Sequence, residues 1–256
     1  MRTAAALLAL LLGLVLTPPA AAADGDLTGP ATKEIAMELV SSAENSSLDW
    51  RAQYSYIEDI RDGRGYTAGT IGFCSGTGDM LELVRAYTDA QPGNPLAAYL
   101  PALEKVNGTD SHRGLGRPFV KAWRAAAADP AFQAAQDAER DRVYFDPAVA
   151  LAKADGVGAL GQFAYYDAAV VHGFRGLRQI RKRALRRADT VAEGGSEKKW
   201  LKRFMHKRIV EMEKEDVHAE QLDRITKTQL AFLKEGNYAL TPPLKWTVNQ
   251  TKFRID

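Results

Sequence analysis

Two segments carry side chains whose types and spacing suit acid–base chemistry. Ser41-Ser42-Ala43-Glu44-Asn45-Ser46-Ser47-Leu48-Asp49-Trp50 places Glu44 just past an apolar helical pattern. Asp59-Ile60-Arg61-Asp62-Gly63-Arg64-Gly65-Tyr66-Thr67 places Asp62 in a glycine-bracketed turn that ends in a hydroxyl. A helix-end acid facing a loop acid suits hydrolysis at a sugar: one carboxyl protonates the leaving oxygen, and the other activates water or attacks the anomeric carbon. Two carboxylates alone do not define a site, because most Asp and Glu side chains are solvated surface charges.

The elements that must position this pair are mainly helical. From Thr32 to Ala43, apolar Ile35, Ala36, Leu39, Val40 and Ala43 share one helical face, with Glu44 one residue beyond it and Asn45 as a stop. A carboxyl at the edge of a buried stripe is expected to be partly desolvated, which raises its pKa as a general acid needs. Residues 54–60 are rich in strand formers, and Tyr66-Thr67 reopens an extended segment, predicting a small hairpin with Asp62 at its tip. Gly72 to Gly78 forms a glycine-rich loop before the amphipathic stretch Met80–Thr88, and Asp79 with Glu82 fits a helix N-cap. Further helices are predicted over 96–106, 119–128, 131–142, 148–171, 174–188, 197–218 and 219–235, with an irregular tail after Thr241-Pro242-Pro243. The class is α+β, mostly α.

Composition narrows the setting. The 256-residue chain starts with Arg2, an apolar run of 13 residues from Ala4 to Leu16, Pro18-Pro19 and then Ala20–Ala23. That order reads as a secretory signal peptide over residues 1–23, too short to span a bilayer. Cleavage after Ala23 would leave 233 residues, 24–256, enough for one large domain. No later run is long and apolar enough for an anchor, so the expectation is a freely secreted, extracellular protein. Cys74 is the single cysteine, which excludes an internal disulfide and suits a small buried residue. Residues 34–95 hold ten acids and four bases, whereas residues 174–208 hold thirteen bases and three acids. The acidic part could hold a cationic ligand. The basic run, with Arg178, Arg181, Lys182, Arg183, Arg186 and Arg187, reads either as a solvated helix face or as a surface for nucleic acid or an anionic cell surface; secretion argues against nucleic acid. His112, His172, His206 and His218 form no metal-binding signature, and Gly76-Thr77-Gly78 lacks phosphate-loop spacing.

At Ser41–Trp50, Asp59–Thr67 and Gly72–Asp79 the chain closely resembles the bacterial chitosanases of glycoside hydrolase family 46. Residues 139–147, 161–167 and 242–246 extend the likeness, which spans roughly residues 32–246. The resemblance implies a lysozyme-like fold: two helical lobes flank a substrate cleft, with a small β-sheet in the N-terminal lobe. A long helix near 146–171 is expected to join the lobes. It also implies endo-hydrolysis of β-1,4 linkages in chitosan, with inversion. The expectation is a monomer that needs no cofactor and no metal and binds neither membrane nor nucleic acid. By position, Glu44 matches the general acid, Asp62 the general base and Thr67 the hydroxyl that helps hold the attacking water. The substrate-contacting positions match Asn45, Ser46, Tyr56, Arg64, Gly72, Asp79, Tyr144, His172 and Gly173.

Asp79 could pair with a glucosamine ammonium, cap a helix, or do both. Arg64 could keep Asp62 ionised or be a solvated turn residue. His172, Tyr56 and Tyr144 also have ordinary structural readings. Asp167, Arg208 and Arg224 match a charge network that links the lobes to the base, and Glu215 or Glu220 matches a further acid near the cleft. The family's longer loop after His172-Gly173 is replaced here by a shorter, more basic Phe174-Arg175-Gly176-Leu177-Arg178. A related hydrolase acting on chitin or peptidoglycan is the alternative enzyme, and a catalytically dead chitosan-binding protein is the alternative binder. Asp79 argues against the first, and intact Glu44, Asp62 and Thr67 argue against the second.

Overall fold

The computed structural model describes residues 25–214, 219 and 221–256. The signal peptide expected over 1–23, and the acids Glu215 and Glu220, lie outside the described residues.

The first helix, α1 (Pro30–Asn45), starts at a proline, whose fixed φ and missing N–H suit a first turn. Ile35, Ala36, Leu39 and Ala43 are buried along it, and Ser46 closes it in the left-handed region at φ 51°. A 3₁₀ turn, Trp50–Ser55, leads to three two-residue strands, β1 (Ile57–Glu58), β2 (Thr67–Ala68) and β3 (Phe73–Cys74). They pair antiparallel in the order β1-β2-β3, with Glu58 opposite Thr67 and Thr67 opposite Cys74. The predicted hairpin is therefore present, with a shorter first strand and a third strand from the glycine-rich loop.

Four helices follow: α2 (Asp79–Ala90), α3 (Leu100–Val106), α4 (Arg117–Ala126) and α5 (Pro130–Arg140). With the small sheet they close around one apolar core, in which Trp123 and Phe132 meet edge to face at 5.0 Å. A second core is built on α6 (Asp146–Ala154), α7 (Ala159–Ala184) and α8 (Glu197–Met212), with α1 and a last helix, α9 (Leu230–Glu235), packed against them. Residues 159–169 of α7 are buried on every side, and Tyr165 stacks on Phe204 at 4.4 Å.

The helix expected near 146–171 is two helices, α6 and α7, separated by residues 155–158. Gly156 turns the chain there at φ 77°, and Asp155 is held by Tyr165 and Arg181. The segment that passes from one core to the other is 130–154, with Phe132 in the first core and Phe145 in the second. Its register loosens to a π-helical turn over Asp141–Phe145, just before Pro147, which has no N–H to give the ladder. Phe174–Arg178, which stands where the family's longer loop is expected, is helical, in line with the helix predicted over 174–188, and belongs to α7. The break lies one residue earlier, at Gly173 (φ 65°, ψ 165°).

The tail is ordered, contrary to the irregular segment expected from Pro242-Pro243. β4 (Leu244–Val248) and β5 (Thr251–Ile255) form a hairpin in which Trp246 stacks on Phe253 at 5.6 Å. Its turn residues Asn249 and Gln250 both take positive φ, a conformation usually signalled by glycine. No described helix is long and apolar enough to cross a membrane.

Candidate active site

Glu44 stands on the last turn of α1, and its carboxylate meets a buried guanidinium. Arg224 Nη1 donates to Glu44 Oε1 at 2.6 Å, while Arg224 Nη2 and Nε donate to Asp167 Oδ1 at 2.6 and 3.1 Å. Arg208 Nη2 reaches the other oxygen of Asp167 at 2.8 Å, and Gln229 Nε2 donates to the same oxygen at 2.7 Å. Burial alone would raise the Asp167 carboxyl, but the charges of Arg224 and Arg208 hold it down, at about 2. Burial drags Arg208 below its ordinary value; Arg224, which faces two carboxylates, is driven above it despite burial.

This network differs from expectation in its end point. It was expected to reach the base, Asp62, and it reaches Glu44. The Glu44 side chain also keeps 36% of its exposure. The carboxyl expected to be desolvated at the edge of the apolar stripe is thus partly exposed, and it is fixed by an ion pair with Arg224. The helix ends at Ser46, and of its last turn Ser42 and Ala43 are buried while Glu44 and Asn45 are exposed.

The end of α1 is fixed from behind by the tail hairpin. Trp246 Nε1 donates to Ser42 Oγ at 3.0 Å, and Asn249 Nδ2 donates to the carbonyl of Ala43 at 3.2 Å. These two positioning residues were not singled out as site residues; nothing local in Lys245-Trp246 or Val248-Asn249 signals a helix more than 200 positions away. Beside Glu44, Asn45 and Ser46 are exposed, and Asn45 Nδ2 donates weakly to Ser41 Oγ at 3.4 Å.

Asp62 lies in the connection between β1 and β2. Arg64 Nε and Nη2 both donate to its Oδ2, at 2.8 and 2.5 Å, and the Arg64 backbone N–H donates to its Oδ1 at 3.1 Å. The Arg64 guanidinium is the main reason the Asp62 carboxyl sits below the usual carboxylate range. The open question about Arg64 is thereby answered for this structure: it is bound to Asp62. Thr67, on β2, is buried, with its Oγ1 3.5 Å from Cys74 Sγ. Gly72 takes φ 74°, and a Cβ there would come within 3.2 Å of Thr67 Cγ2, so the loop lies directly on the threonine. Cys74 is buried and free, and burial pushes its thiol up.

Asp79 opens α2, with Gly78 rather than Asp79 as the capping residue. Its Oδ1 accepts from Cys74 N, Thr77 Oγ1 and Met80 N at 3.0, 2.6 and 3.0 Å, which ties the glycine-rich loop together. Its Oδ2 takes no hydrogen bond among the described residues. The Arg64 guanidinium is raised mainly by Asp62 and in smaller part by Asp79, and Tyr144, on the π-helical turn, is raised mainly by burial and next by Asp79. Asp62, Arg64, Cys74, Asp79 and Tyr144 thus form one electrostatic neighbourhood. Tyr56 stands at its edge, donating to Glu58 Oε2 at 3.4 Å. His172 and Gly173 lie half-buried at the break in α7.

The two sides meet at a small cavity, lined by Asn45 and Ser41 from α1, Thr70 and Ile71 from the β2–β3 turn, and Tyr166 from α7. The helix end that carries Glu44 therefore abuts the loop that carries Gly72. Some other acids of the N-terminal part are internally matched, Glu34 to Arg51 at 2.5 Å and Glu82 to Arg142 at 3.5 Å.

With this geometry in place, comparison with known proteins is specific. A family model described as Glycosyl hydrolase family 46 matches residues 38–244. A chitosanase of Streptomyces sp. (strain N174) is 62% identical over 231 residues, covering 88% of this chain and 82% of that protein. The co-crystal structure of chitosanase OU01 with substrate aligns with a TM-score of 0.84 at 57% identity, covering 90% of this chain and 99% of that one. A complex of a Gynuella sunshinyii chitosanase with chitotetraose aligns at 0.77 and 32% identity, covering 88% and 97%.

Proposed function

The chain belongs to glycosyl hydrolase family 46, and on that premise we propose that it is a secreted endo-chitosanase acting with inversion through Glu44 and Asp62. The fold is the lysozyme-like α+β arrangement of two helical lobes that the family resemblance implied. The observation that favours this division of roles is the difference in what holds each carboxylate: Glu44 is tied to the buried Arg224–Asp167–Arg208 network, and Asp62 is tied to a local guanidinium.

Asp62 is suited to be the base, because Arg64 keeps it ionised and ready to take a proton from water. Thr67, opposite Cys74 and beneath Gly72, would orient that water from the floor of the site. Glu44 would donate to the glycosidic oxygen. Inversion requires room for water between the carboxyls, roughly 6.5–9.5 Å.

Chitosan carries an ammonium on each glucosamine. Asp79 has an oxygen left over from its loop duties to receive one, and Tyr144 packs nearby as a wall. Asn45, Ser46, Tyr56, Arg64, His172 and Gly173 would contribute further contacts along the chain of sugars. Arg64 would do so only through the faces its pairing with Asp62 leaves exposed. The protein would act as an extracellular monomer.

The reading is tested by reducing-end release from highly deacetylated chitosan, colloidal chitin and peptidoglycan in parallel, with proton NMR of fresh chitosan product. Cleavage of chitosan alone, with the α-anomer appearing first, is expected. Cleavage of chitin or peptidoglycan instead would overturn the substrate, and a first-formed β-anomer would overturn inversion.

A further inference from the structure

The basic run folds into a concave cationic surface whose lining includes none of the carboxylates assigned to the active site. Arg183 near the end of α7, Arg186 and Arg187 just beyond it, and Arg203, His206 and Lys207 on α8 line a cavity of about 390 Å³. A second depression continues from it past Lys199 and Lys202.

These cations are crowded around one concavity with few acids among them. Some exposed guanidiniums elsewhere are paired, Arg51 with Glu34, Arg85 with Glu104 and Arg142 with Glu139. In the cavity Arg183 alone meets a carboxylate among the described residues, that of Glu211, which is shared with Lys214. Arg203 Nε is buried with no hydrogen-bond partner. Desolvation, and then the charges of Arg203, Arg187, Arg183 and Arg186, push the Lys207 ammonium below its ordinary value.

Such crowding costs electrostatic energy that an anion would relieve. The proposed substrate is a polycation and would be repelled, so the face is no extension of the catalytic site. Several guanidinium forks around one concavity match phosphate, which accepts paired N–H donors and can carry two charges per group. We propose that this face is an anion-binding site for ligands bearing clustered phosphate groups, either a small polyphosphate or a phosphate-bearing polymer. It would let the protein hold a phosphate-rich surface with one face while its acidic site engages chitosan with another.

The test is calorimetric titration of the purified protein, without chitosan, using sodium tripolyphosphate and poly(glycerol phosphate) as separate probes. The comparison is the combined variant Arg186→Gln, Arg187→Gln, Lys207→Gln. Binding of at least one probe is expected, weakening with added salt and at least tenfold weaker in the variant, with kcat/KM on chitosan unchanged in separate assays. Tripolyphosphate binding alone would identify a small ligand, and polymer binding alone a polymeric one; either upholds the site. No binding of either probe, or equal affinity in the variant, would overturn it. Should the combined variant fail to fold, Lys207→Glu is read by the same criteria. Because chitosan hydrolysis is measured separately, failure here leaves the catalytic reading standing, and the reverse.

Discussion

Arg224 stands 2.6 Å from Glu44 and 2.6 Å from Asp167, so one buried guanidinium joins the proposed acid to the centre of the larger core. Asp167 in turn holds Arg208 at 2.8 Å, and all three members are almost wholly buried.

Removing Asp167 would leave two buried cations without a carboxylate between them. Asp167→Asn is expected to cost about 3–5 kcal/mol in urea unfolding at neutral pH. The pH dependence has a definite sign. The folded Asp167 carboxyl titrates at about 2, below an unfolded value near 3.9. Its contribution is therefore full above about pH 4 and is lost as pH falls towards 2. The stability gap between wild type and Asp167→Asn should shrink over that window. A gap below about 1 kcal/mol at neutral pH would show that the network is not what holds this core.

Arg64 holds Asp62 in its ionised form. Arg64→Gln removes the guanidinium, so the acidic limb of kcat/KM against pH is expected to move to higher pH. An unmoved limb would assign that limb to another group or leave Arg64 without influence on Asp62.

Asp79 combines two duties that separate by substitution. Asp79→Asn keeps an acceptor for Cys74, Thr77 and Met80 but removes the charge; Asp79→Ala removes both. The expected result is a raised KM for chitosan in both variants, with a lowered melting temperature only in the alanine variant. Wild-type KM in Asp79→Asn would leave only the loop-tying role.

Trp246 supports the helix end that bears Glu44. Trp246→Phe deletes the N–H to Ser42 and is expected to cost about 1 kcal/mol of stability for the lost hydrogen bond. It should also lower kcat more than it raises KM. Unchanged kcat in a destabilised variant would mean that the hairpin supports the fold without positioning Glu44.

What could be read from the sequence was local. The stripe Ile35, Ala36, Leu39 and Ala43 gave α1 and the place of Glu44 at its end, and Asp62-Gly63-Arg64-Gly65 gave the turn. The ion pair between Arg224 and Glu44 joins residues 180 positions apart, and no spacing rule reveals it. Network membership of Arg208 and Arg224 came from family resemblance alone. The tail hairpin was missed because its turn uses Asn249-Gln250 in a conformation usually marked by glycine. The break in α7 was legible, since the helical patterns over 148–171 and 174–188 leave 172–173 between them, and Gly173 takes positive φ there.

Turnover of chitosan by Glu44→Gln and Asp62→Asn, with melting temperatures taken on the same preparations, tests the division of labour most directly. Each variant should lose at least about 10²-fold in kcat, the scale of a positioned acid or base, while keeping its fold. Near wild-type turnover in either folded variant would contradict the role given to that carboxylate.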